Sequence, residues 1–132
     1  MFDLNGANFG EKAMRVILTI LLFVVPHIAM ARCPALKEMR QNITDSRQFG
    51  WACKGMDSVL LKLKDSKSAE FRDIFYSRKG GTHVTCGKVN SKNSFGGYGG
   101  FQRFVSAGSV ELTFLEEEVA GDFGPVWAKM CE

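Results

Sequence analysis

Along the chain the apolar positions change period, and each change marks a new element. Between about residues 51 and 64, Met56, Val59, Leu60 and Leu63 recur at i, i+3, i+4 and i+7, while Asp57, Ser58, Lys62 and Lys64 take the other side. That spacing predicts an amphipathic helix whose apolar stripe faces a core. Upstream, Leu36, Met39 and Arg40, with Pro34 in the first turn, permit a short helix over residues 34–41, followed by a loop over residues 42–47. Downstream, Asp65, Ser66 and Ser68 break the long helix and cap a short turn through Phe71. From Ile74 the pattern becomes extended: residues 74–76 and 84–89 read as strands joined by a glycine turn at residues 78–82. A second glycine-rich segment, residues 90–100, separates these from an apolar stretch at residues 101–107. After a turn at Gly108-Ser109, Val110, Leu112 and Phe114 alternate with Glu111 and Thr113, which predicts a half-buried strand. Beyond the acidic run Glu116-Glu117-Glu118, Phe123, Trp127 and Met130 share one helical face, with Pro125 near its start. The predicted fold is α+β: a small antiparallel sheet, a meander of about four strands, packed against helices in two layers.

The first third of the chain reads differently. Arg15 supplies a positive flank, residues 16–25 form an apolar run broken only by Thr19, and Ala29-Met30-Ala31 offers small residues for cleavage. This is the order of a secretory signal peptide, with cleavage expected before Arg32. A transmembrane helix is the competing reading, but the strongly apolar part is roughly ten residues and ends at Pro26, whereas a span needs about 20. Asp3 and Glu11 are out of place in a signal, so translation is expected to begin at Met14. Arg32 stands just before Cys33, where a lipidation site wants a small residue. The expected organisation is therefore residues 1–31 as extension and signal, and residues 32–132 as one exported domain, periplasmic or secreted.

Cys33, Cys53, Cys86 and Cys131 all follow the cleavage site, and an even count in a small exported domain reads as a disulfide framework. Three pairings are possible, and spacing alone does not choose. The pairing taken is Cys33 with Cys53 and Cys86 with Cys131, one bridge in the helical half and one in the other. A metal site is not expected, because there is no C-x-x-C and His83 is the only histidine after the signal. Removing residues 1–31 takes two basic and two acidic residues, so the net charge stays at +3, too small to argue for a nucleic-acid partner.

The densest chemistry lies in residues 86–104. Asn90, Lys92, Asn93, Tyr98 and Arg103 could present donors and an aromatic face to a glycan or a protein, as exposed loops do. In the competing reading, Phe95, Tyr98, Phe101 and Phe104 fill the core and the asparagines bond their own backbone. Residues 86–104, with the stretch Leu63-Lys64-Asp65-Ser66-Lys67-Ser68-Ala69-Glu70-Phe71-Arg72, resemble a family of small exported bacterial proteins of uncharacterised activity. Its members carry "LKDP-SA-FR" and "CG-VN-KN-FGGY-G---F" motifs and a cysteine near the end. Ser66 stands where that pattern more often has proline. The resemblance implies export and a bridge between Cys86 and Cys131, and leaves the activity open.

Catalysis is not expected. His83 and Cys86 are three apart, a spacing that in extended chain aims them to opposite faces, and a bridged Cys86 could not attack. Glu116, Glu117 and Glu118 read as a solvated stretch. The expectation is a non-catalytic binding domain for an envelope protein or glycan, without a cofactor. The alternatives are a purely structural small protein and, behind it, a cell-wall hydrolase using residues 116–122.

Overall fold

The computed structural model describes Cys33, Met39, Ile43 and residues 45–132. The expected signal, its cleavage site and all but Met39 of the short helix at residues 34–41 lie outside the described residues.

Helix α1 (Ser46–Lys62) begins upstream of the predicted start because Asp45 caps it, its carboxylate accepting from the Arg47 nitrogen at 2.8 Å. Ala52, Met56 and Val59 are wholly buried at i, i+4 and i+7, and Leu60 and Leu63 pack beside them. Ser58, expected on the polar side, is buried too. Its hydroxyl donates to the Lys54 carbonyl at 3.0 Å, so no unpaired donor is left inside.

A 3-10 turn (Ser66–Ser68), capped by Asp65, leads into β1 (Glu70–Ser77), which starts before the predicted Ile74. Phe71 and Ile74 are three apart yet both lie in the α1-facing core. A regular strand would send them to opposite faces. A bulge between Arg72 and Phe75, with Asp73 at φ 52°, resets the alternation. Strands β2 (Val84–Asn90), β3 (Gln102–Ser106) and β4 (Thr113–Leu115) continue the antiparallel meander in the order β1-β2-β3-β4. Met39 is not helical; it forms a parallel bridge to Ile74 at the sheet edge.

The sheet is covered on both faces, a correction to the expected two layers. Phe71, Ile74, Val89, Phe104 and Leu115 face α1, which approaches so closely that a Cβ at Gly55 would collide with the Thr85 side chain. The Thr85 hydroxyl donates to the Trp51 carbonyl at 2.9 Å. On the opposite face Phe75, Val84, Cys86 and Val105 meet Phe123, Trp127 and Cys131 from the segment holding α2 (Gly124–Met130). Consecutive apolar residues such as Phe104-Val105 already demand two covers.

β4 carries the second correction. Thr113 and Leu115 point inward, while Leu112 and Phe114 are 54% and 46% exposed. The turn is longer than Gly108-Ser109: the Ala107 nitrogen donates to the Leu112 carbonyl at 2.9 Å, so Val110 and Leu112 are spent in the turn. A shift of one residue inverts every side chain of a strand. Thr113 tolerates the interior because its hydroxyl donates to the Ser109 carbonyl at 2.6 Å and sits 2.7 Å from the Ser106 hydroxyl.

The bridges are Cys33–Cys53, which reaches α1, and Cys86–Cys131, which ties α2 to β2. With separations of 20 and 45 residues, they are worth about 3 and about 4 kcal/mol by chain entropy. Such bonds persist in oxidising compartments, which fits an extracellular or periplasmic setting. Among the described residues no helix is long and apolar enough to cross a membrane.

Candidate functional site

The connection between β2 and β3 extends the hairpin past its strands. Lys92 and Tyr98 form an antiparallel bridge, and the chain reverses over residues 93–97. There the Asn93 nitrogen donates to the Gly97 carbonyl at 2.8 Å, and the Gly96 nitrogen to the Asn93 carbonyl at 3.0 Å. The Asn93 side-chain oxygen accepts from the nitrogens of Phe95 and Gly97 at 3.0 and 3.2 Å. Gly96 has φ +78°, a left-handed conformation that favours glycine. Below the turn, the Asn90 side-chain oxygen accepts from the Gly100 nitrogen at 3.2 Å.

Ser68 fastens this loop to the 3-10 turn. Its hydroxyl oxygen accepts from the Lys92 nitrogen at 2.8 Å, and its carbonyl from the Tyr98 hydroxyl at 3.2 Å. The Lys92 ammonium stands 5.8 Å from the centre of the Tyr98 ring, and the Lys64 ammonium donates to the Ser94 hydroxyl at 3.1 Å.

The aromatics part company. Phe104 is wholly buried, Phe101 is half-buried beneath the Arg72 guanidinium at 4.1 Å, and Tyr98 is 47% exposed. Phe95, at the turn, is 96% exposed. The core-filling reading of these rings therefore fails for Phe95. The sequence does carry a signal for it: Asn93 three residues before Gly96 spells an Asx-type turn, which puts the residues between them outward.

Asn90, Lys92, Asn93 and Tyr98 thus come together in one loop, and Arg103 does not join them. Its guanidinium donates to both carboxylate oxygens of Glu116, at 2.6 and 3.2 Å, and its backbone nitrogen donates to the same group at 3.0 Å. It also lies 5.4 and 5.6 Å from the rings of Phe123 and Trp127. Hydrogen bonds from the Arg103 side chain, then its backbone, hold the Glu116 carboxyl below the ordinary carboxylate range. The same bond raises the pKa of Arg103.

A groove of about 750 Å³ runs between the end of α1, the loop and residues 116–118. Lys92 and Asn93 line it, with Lys62, Lys64, Gln102 and Glu117. Lys62 is engaged, 2.5 Å from a Glu118 carboxylate oxygen and 2.7 Å from the Thr113 carbonyl. The acidic run is therefore not simply solvated: Glu116 and Glu118 hold cations. Cys86 is bridged, while His83 stacks on Trp51 at 5.2 Å and is hydrogen-bonded through Nδ1 to the Tyr76 hydroxyl. Among the described residues no three His, Cys, Asp or Glu side chains gather to hold a metal ion.

No protein-family model, curated protein or solved structure matches this chain.

Proposed function

We propose that the chain is a non-catalytic binding domain of the cell envelope, exported to the periplasm or beyond, and that the turn at residues 93–98 is its contact surface. The observation that carries this reading is Phe95, 96% exposed on a turn pre-organised by Asn93. A ring left in water is stabilised by about 1.5–3 kcal/mol when covered. Because the turn is already ordered, little of that gain is lost to fixing the loop on binding. The resemblance of residues 86–104 to small exported bacterial proteins supports the same setting. Arg103, expected among the contact residues, is committed to Glu116 through its guanidinium, and Phe95 serves as the anchor in this reading.

A second reading, in which the loop only folds, draws on Asn90 and Asn93, whose side-chain oxygens bond the loop's own backbone. It leaves the exposure of Phe95 without a role. Co-sedimentation with isolated envelopes separates the two. The wild-type protein is expected in the envelope pellet and Phe95→Ala in the supernatant, with both melting at the same temperature. Equal retention of the two would refute the contact surface.

A further inference from the structure

The side chains around Phe95 narrow what the loop meets. Residues 90–100 carry one lysine, Lys92, and no carboxylate. Lys64 reaches the tip through Ser94, and Lys67 is exposed on the 3-10 turn that holds Tyr98 and Lys92. Asp65, the acid nearest in sequence to these lysines, caps that turn through the Ser68 nitrogen. The tip is thus an aromatic point beside three lysines; two exposed carboxylates also approach the loop, Glu70 opposite Asn90 and Glu117 in the groove that Lys64 and Lys92 line.

Its relief is equally specific. Gly96, Gly97, Gly99 and Gly100 follow the rings, so within residues 94–100 only Ser94 and Tyr98 join Phe95 in offering side chains to a shaped protein surface. A protein interface builds its energy from a packed cluster that excludes water around the anchor. A fluid lipid surface closes around a single protruding ring without any such cluster. Moving peptide groups toward lipid is costly when they are unpaired. Here the Phe95 and Gly97 nitrogens are already bonded to Asn93.

We propose that this tip docks on an anionic phospholipid surface, with the Phe95 ring at the boundary of headgroups and acyl chains, Tyr98 at headgroup level, and Lys64, Lys67 and Lys92 facing lipid phosphates. This inference rests on the contact surface proposed above and names what covers it. Tyr98, a ring with one polar end, suits the headgroup level, the apolar Phe95 ring gains by leaving water, and each lysine near an anionic surface adds attraction that salt screens.

Vesicle flotation tests it, using protein purified as the producing cell exports it and vesicles of phosphatidylglycerol or phosphatidylcholine. The wild type is expected to float with phosphatidylglycerol at low ionic strength and to remain behind with phosphatidylcholine. Phe95→Ala should lower the partition coefficient at least about tenfold. Lys64→Gln and Lys92→Gln should lower it about fivefold each. Phe95→Trp should float like the wild type, which separates loss of the ring from damage to the turn. Variants made in the same way also control for any contribution from the segment before Cys33. Equal flotation with both lipids, or flotation indifferent to Phe95, overturns the proposal. Envelope retention that needs Phe95, without binding to phosphatidylglycerol, overturns the lipid partner and leaves the contact surface standing on a protein or glycan. Envelope retention that ignores Phe95 removes the contact surface itself.

Discussion

The side-chain oxygen of Asn93 lies 3.0 Å from the backbone nitrogen of Phe95, two residues along the chain, and so holds in place the most exposed aromatic ring of the domain. Asn93→Ala removes this bond and the one to Gly97. Each is exposed, so the expected loss of stability is small, about 1 kcal/mol. The larger effect should be local: the amides of Phe95 and Gly97 should exchange with solvent much faster than in the wild type. Envelope retention should fall while the global melt barely moves.

The inverted strand β4 predicts a pattern of tolerance. Leu115→Ala should destabilise by about 2–5 kcal/mol, whereas Phe114→Ser should cost well under about 1 kcal/mol. Thr113→Val, nearly the same shape, should cost about 1–3 kcal/mol, because the Ser109 carbonyl loses the Thr113 hydroxyl and the Ser106 hydroxyl keeps only its bond from the Gly108 nitrogen. Urea denaturation of the three variants reads this ordering. A large loss at Phe114 would restore the register read from alternation alone.

That register shows why part of the fold was legible in the sequence and part was not. The α1 stripe repeats over several turns, so Met56 and Val59 were identifiable from spacing, and the even set of cysteines announced the framework. β4 has three residues and a turn that absorbs two apolar positions, so alternation pointed the wrong way. The bulge at Asp73 hid the first half of β1 for the same reason, a local backbone choice that inverts parity without changing composition. At the site, residue types marked the loop. The spacing of Asn93 and Gly96 hinted at the turn that leaves Phe95 outside, and residue types allowed the asparagines either role, but nothing local could show that Arg103 turns to Glu116, thirteen residues on.

The bulge makes its own prediction. Asp73 occupies the left-handed region at φ 52°, which glycine adopts without strain and β-branched residues resist. Its contact with Lys88 is an exposed ion pair at 3.7 Å, so losing it costs little. Asp73→Gly is expected to leave the melting temperature near that of the wild type, and Asp73→Val to lower it by several degrees. Calorimetry distinguishes the two.

Arg103 and Glu116 give a pH dependence. The Glu116 carboxyl titrates below its ordinary value of 4.5 because it accepts hydrogen bonds from Arg103. A carboxyl with a depressed folded-state pKa stabilises the fold above its unfolded-state pKa. That contribution is lost as pH falls through the folded value. Stability is therefore expected to decline below about pH 4.5, and Glu116→Gln to flatten this part of the profile. Melting temperatures from pH 7 to pH 2.5 for both proteins provide the comparison; parallel profiles would count against the pairing as a source of acid sensitivity.

Whether residue 95 is covered when the protein sits on its envelope is the most direct question, and Phe95→Trp makes it readable. Fluorescence of this variant, with the wild-type signal from Trp51 and Trp127 subtracted, should shift to the blue and become shielded from an aqueous quencher when envelope fragments are added. An indole at position 95 that stays red-shifted and fully quenchable on envelopes that retain the protein would contradict the account.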